Sequence, residues 1–296
     1  MAIFGRSYDH FLGYALSGGG AKGFAHLGAL KMLEKCGLKP EVIVGTSAGS
    51  LAGVLYADGF HPDEIAEMFK KREFKEFVEF SIPKAGLLKS TGLHEFLKKN
   101  LRAKTFEDLK IPFYAIATDW NSAKATAFSK GDTLIDAVVA SCSVPVVFNP
   151  QYINGTPYVD GGVLMNFPVS VIRNKCRYVL GINVTAIFPP AEKDNIISVM
   201  ERTFNLMSNA NTFYEKSICD ILIEVEGIYK YKMFDLNNMS TISEIGYHQT
   251  AIKMSEKDSW DIIERCHRHY KRTEEFQRKL ELLKQKMSHS SITNKI

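Results

Sequence analysis

Short apolar, β-branched runs alternate with amphipathic runs through the first two-thirds of the chain. Tyr14–Ser17, Val42–Val44, Phe113–Thr118 and Tyr178–Val184 read as strands. Gly23–Cys36, Ala48–Asp58 and Thr133–Ala140 carry apolar residues at helical spacing. Such alternation predicts an α/β domain with a largely parallel sheet. Between Pro62 and Asn100 the pattern turns helical and rich in Lys, Glu and Phe (MFKKREFKEFVEF, then LHEFLKKNL), broken at Pro83 and Gly86. Two surface helices packed on the sheet by their Phe and Leu faces are the default expectation; a mobile cap over a cleft is the functional one. From Ile242 onward the chain reads as helical. Within Ser255–Lys286, Trp260, Ile263, Tyr270, Phe276, Leu280 and Leu283 recur at helical intervals among charges. That predicts a solvated helix docked by one stripe, with SHSSITNKI frayed at its end.

Composition narrows the class without naming it. The chain has 296 residues, 45% hydrophobic and 24% charged, with a formal net charge of +4. That is ordinary for a globular protein, and too mild for an obligate nucleic-acid binder. Five scattered cysteines without CxxC spacing predict free thiols in a reducing compartment rather than zinc. Arg6, Asp9 and His10 interrupt the apolar N-terminus, making it a poor signal peptide. No eighteen apolar residues run together, so the expectation is a cytoplasmic protein whose membrane contact, if any, is peripheral. No metal-ligand spacing stands out, and no cofactor or metal is expected. Oligomeric state is not legible.

The stretch ALSGGGAKGFAHLGAL (Ala15–Leu30) fits the dinucleotide fingerprint as Gly18-x-Gly20-x-x-Gly23. The acidic partner fails, because Glu41 precedes the second strand instead of ending it, and Phe24 breaks the P-loop pattern. At the end of that strand stands Gly45-Thr46-Ser47-Ala48-Gly49, a G-x-S-x-G sequence between strand and helix, as in a nucleophile elbow. Alternatively Ser47 only caps the helix. Acyl transfer through a serine needs donors for an oxyanion, and the N–H groups of Gly18, Gly19 and Gly20 are suited to supply them. The serine also needs a base. Asp160, followed by Gly161 and Gly162, is the candidate, although a bare DGG is more often a hairpin turn. His248 is the one later histidine that would suit a triad. His26 reads as a packing or loop-bracing residue rather than a base, and Cys142 as a small residue packed near the elbow.

In this order SGGGAKG, GTSAGS and DGG resemble the patatin-like phospholipases, of the bacterial type and related to the catalytic domain of cytosolic phospholipase A2. The flanks ASCSVPVVFNP, DGGVLMNFPV and AIATDWNSAKATAFSKGD share the likeness, which runs from about Tyr14 to Val184. The resemblance implies a three-layer α/β/α fold with a mostly parallel central sheet. It implies a core at 12–185, with 186–296 as the rest of the domain and a charged helical extension. It implies Ser47 as nucleophile, Asp160 as proton acceptor in a Ser–Asp dyad, and Gly18–Gly20 as oxyanion hole. Lys22, Gly23, Gly45, Gly49, Gly161 and Gly162 complete the motifs; many relatives carry arginine at Lys22. That the substrate is an acyl lipid, a phospholipid or lysophospholipid among others, follows from the resemblance alone. An esterase or thioesterase with a Ser-His-Asp triad, and a non-catalytic lipid-binding regulator, stay open at this point.

Overall fold

A computed structural model of the chain describes residues 7–70, 74–77, 79–80, 86–185, 196–233 and 236–293. Its main sheet has eight strands: β1 (His10–Leu16), β2 (Val42–Thr46), β5 (Phe113–Asp119), β6 (Lys124–Phe128), β8 (Gln151–Ile153), β9 (Thr156–Asp160), β10 (Cys176–Asn183) and β11 (Ile221–Glu224). The order β11-β10-β1-β2-β5 is parallel throughout, and β6, β9 and β8 add antiparallel pairs beyond it. The sheet is therefore mixed.

Period-two alternation assigns the two faces. Leu12, Tyr14 and Leu16 of β1 point into one core, and Ala15 into the other. The first core lies under α1 (Phe24–Lys35), α2 (Ala48–Ala57) and α5 (Leu134–Ser141), with Ile242 and Met254 of α9 (Met239–Ser255) and Ile263 of α10 (Lys257–Thr293). The second lies under α6 (Val169–Arg173), which contributes Val169 and Ile172. Helices on both sides of one sheet give the three-layer fold that the motifs imply. The inner strands read as unbroken apolar runs because both faces are covered. All five residues of β2 are buried.

Several elements differ from the sequence reading. Strand β1 begins at His10, four residues early, because β10 offers a partner from Cys176 onward. In the Lys- and Phe-rich stretch, α3 (Pro62–Phe69) stops at Phe69. A 3-10 turn at Phe74–Phe77 and strand β3 (Glu79–Phe80) follow, where the pattern predicts continued helix. Pairing in a second sheet, β3-β4-β7, with β4 at Gly86–Lys89 and β7 at Val146–Phe148, overrides local propensity there. The expected break at Pro83 lies outside the described residues. α4 (Thr91–Asn100) forms as read, and α10 continues to Thr293 rather than fraying at 288. α7 (Ile196–Ala210) and α8 (Phe213–Ser217) carry no signal that the sequence reading used. Among the described residues no helix is long and apolar enough to cross a membrane.

Asp58 ties the segment around α4 to the helix that follows the elbow. Buried at the end of α2, it accepts from the amides of Arg102 at 2.8 Å and Ala103 at 3.2 Å. Asp58→Ala would leave both amides without their acceptor, at a cost of about 1–3 kcal/mol. The expected readout is a lower midpoint in urea unfolding, with Asp58→Asn less affected.

Candidate active site

The register of β5 brings the site together. Along one edge β5 pairs with β6. Along the other, β2 and β9 meet end to end: Thr46 is in register with Ile116, and Asp160 with the next residue, Ala117. One parallel and one antiparallel strand thus terminate face to face. The residue after β2 and the last residue of β9 become neighbours although 113 positions separate them. Ser47 Oγ donates to Asp160 Oδ2 at 2.7 Å.

Ser47 sits at φ 52°, ψ −122°, in backbone space that L-residues rarely enter. This is the elbow. The turn is so tight that a Cβ at Gly45 would lie 2.4 Å from the carbonyl oxygen of Gly49, and one at Gly49 2.4 Å from that of Leu16. No side chain fits at either place. The helix-cap alternative fails, because the Ser47 hydroxyl makes no capping bond to α2. Its hydroxyl stands instead at the N-terminus of α2, where the helix dipole favours negative charge.

The turn after α5 holds both partners. Ser141 Oγ accepts from the Ser47 amide at 2.8 Å, and Ser143 O accepts from the Asp160 amide at 2.8 Å. Between them the Cys142 thiol donates to Ser47 O at 3.3 Å. Burial, aided by Asp160, pushes that thiol well up, so it packs as an inert group. The A-S-x-S-x-P flank marks this turn in the sequence, but nothing there assigned Ser141 its role.

Asp160 is fully buried. Burial pushes its carboxyl up to about 7, against the hydrogen bonds from Ser47 and from the Gly162 amide to Oδ1 at 2.7 Å. Gly161 is pressed so closely on β5 that a Cβ there would lie 2.3 Å from Ile116 O.

The glycine loop lies against Ser47. A Cβ at Gly18 would come 3.2 Å from that of Ser47. Its amide is already engaged, donating to Asn166 O at 2.9 Å, so Gly18 departs from the expectation that all three glycines offer donors. The physical reason is that the loop is tied to the segment after β9 at that point. The amides of Gly19 and Gly20 have no acceptor among the described residues. Gly20 has φ +59°, and Gly23 packs against Ala48 at the start of α2. His26 braces the loop from α1: its Nε2 donates to Ser17 O at 2.8 Å, and burial pushes its pKa down to about 4. Lys22 is buried, and desolvation brings its ammonium down to about 7 against the pull of Glu201 on α7.

A cavity of about 160 Å³ opens at Ser47. Ile65 and Phe69 of α3, Phe77 and Leu93 line one part of it, and Val144, Phe148, Phe204 and Met233 another. The segment read as either packed helices or cap buries Phe69, Phe77 and Phe96, and Ile65, Phe69, Phe77 and Leu93 of it line the cavity. His248 is exposed on α9, its ring edge against Tyr247, and does not line the cavity. Among the described residues no group of three His, Cys, Asp or Glu side chains is placed to hold a metal ion.

A sequence model described as patatin-like phospholipase matches residues 14–172. The chain belongs to the patatin-like phospholipase family. An uncharacterised NTE-family protein of Mycobacterium tuberculosis is 33% identical over 161 residues, covering 53% of this chain and 44% of that protein. Patatin-like phospholipase domain-containing protein 6 of Homo sapiens is 28% identical over 184 residues, 57% of this chain and 13% of that protein. This patatin-family chain thus matches less than half the length of these curated relatives. Among solved structures, VipD from Legionella pneumophila aligns over 84% of this chain and 67% of its own, at 16% identity and a TM-score of 0.49.

Strain at the elbow is measurable. Glycine adopts the Ser47 backbone without penalty, whereas such strain costs other residues about 1–3 kcal/mol. Ser47→Gly is therefore expected to unfold at a higher temperature than Ser47→Ala in calorimetry.

Proposed function

We propose that this protein is a serine acyl hydrolase that cleaves carboxylic ester bonds of phospholipids, lysophospholipids or related acyl lipids through a Ser47–Asp160 dyad. The observation that carries the reading is the 2.7 Å hydrogen bond from a strained, cavity-facing serine to a buried carboxylate. Membership in the patatin-like phospholipase family supports it, and the apolar cavity beside Ser47 supports an acyl chain as the bound group.

In the first step Ser47 Oγ attacks the acyl carbonyl while its proton passes to Asp160 Oδ2. The oxyanion is held by the N–H groups of Gly19 and Gly20, with the N-terminus of α2 adding its dipole. Collapse expels the alcohol, which takes the proton from Asp160, and leaves an acyl-serine ester. Water then attacks that ester as Asp160 takes a proton from it. Collapse of the second tetrahedral intermediate releases the fatty acid and returns the proton to Ser47. A carboxyl raised to about 7 occupies the range usually filled by histidine, and no third residue is needed to raise it. A cytoplasmic setting, at the edge of a lipid surface, completes the reading and is supported by five free cysteines.

A fluorophosphonate probe is expected to label the wild type and fail to label Ser47→Ala; labelling that persists in the variant ends the assignment. Because the carboxylate is the active form, kcat/KM on a soluble ester is expected to rise with pH through about 7. Asp160→Asn should lose at least about 100-fold at every pH. A flat pH profile would argue against Asp160 as the base.

Phe69 closes part of the cavity wall. Phe69→Leu trims that wall, and on a p-nitrophenyl ester series the ratio of kcat/KM for long over short acyl chains should rise about tenfold. An unchanged ratio would place the acyl chain in the other part of the cavity.

A further inference from the structure

Helix α7 lies beyond the region matched to the family, yet its polar side faces the turn behind Asp160. Ser208 Oγ donates to Gly162 O at 3.1 Å, and Asn211 Nδ2, just past the helix end, donates to the same oxygen at 3.0 Å. Asn211 Oδ1 accepts the Asn166 amide at 2.8 Å. Both ends of this chain of contacts reach the site. The Gly162 amide donates to Asp160 Oδ1 at 2.7 Å, and Asn166 O accepts the Gly18 amide at 2.9 Å.

Two successive glycines after Asp160 leave its turn free to rotate unless something fixes it. A double donor on Gly162 O removes that freedom and keeps the neighbouring amide aimed at Oδ1. Only a carboxamide suits position 211, because one end must donate to Gly162 while the other accepts from Asn166. We propose that Asn211, assisted by Ser208, is a positioning residue that holds Asp160 in line with Ser47 and couples that turn to the glycine loop. The role rests on the dyad reading above. It assigns a catalytic duty to a part of the chain outside the family motifs.

The test uses the full chain with p-nitrophenyl butyrate and the fluorophosphonate probe. Asn211→Asp preserves size and the acceptor toward Asn166 but presents a lone pair to Gly162 O. Its kcat, per site titrated by the probe, should fall about tenfold or more with KM within about twofold, since small misplacements of reacting groups cost rate before binding. Ser208→Ala should lose about threefold, with labelling at Ser47 slowed in proportion. Leu206→Ser, on the exposed side of α7, should match the wild type in both readouts. If Asn211→Asp yields no folded protein, Asn211→Ser decides by the same comparison. Wild-type kcat per titrated site in the Asn211 and Ser208 variants overturns the inference, and so does a loss confined to KM or to the fraction of folded protein. A wild type that the probe does not label removes the hydrolase reading instead, which separates the two failures.

Discussion

One edge of β5 brings Ser47 and Asp160 together. It accepts β2 and β9 head to head, so the serine that follows one and the aspartate that ends the other share a hydrogen bond. No flexible segment has to close for that contact to exist. A carboxylate in this position has given up its water, and the bonds from Ser47 and Gly162 do not fully compensate, so its proton is held to about 7. An exposed aspartate near 4 would be too weak a base to relieve a serine of its proton. Dryness here is what turns an ordinary side chain into a useful one.

The arrangement costs stability in two named places. Ser47 holds a strained backbone, and burial of Asp160 disfavours its charged form. What over-determines the geometry is hydrogen bonding from all sides: Ser141 at the end of α5 and Ser143 just after it, Gly162 beyond Asp160, and Asn166 at the glycine loop. Three of these fix main-chain groups, and the Gly162 amide holds one oxygen of the Asp160 carboxylate. The Ser47 hydroxyl and the other carboxylate oxygen of Asp160 are left with each other.

The legible parts of the site were those governed by local sterics. Gly45 and Gly49 flank Ser47 because neighbouring backbone leaves no room for a Cβ, and such exclusion shows in any single sequence. The alternating strands and helices were equally plain, since burial on both faces writes continuous apolar runs. Asn211 and Ser208 were not legible, because their partners are carbonyls and amides 45 or more positions away, and a backbone group has no residue identity to reveal it. The β3-β4-β7 sheet was hidden for a related reason: the stretch around Glu79 and Phe80 is rich in Lys, Glu and Phe and reads as helix, and only the pairing with β4 decides. Gly18 shows the reverse error. Its glycine was needed for close approach, not for the donor that glycine-rich loops suggest.

Burial acts with opposite sign on two kinds of charge near the site. It raises Asp160 to about 7 and lowers Lys22 to about 7, with Glu201 pulling the lysine back toward its charged form. An arginine at position 22 would keep its proton under such burial, whereas burial disfavours the charged form of lysine. Glu201 brings α7 into that balance, the same helix whose Ser208 side faces the turn behind Asp160.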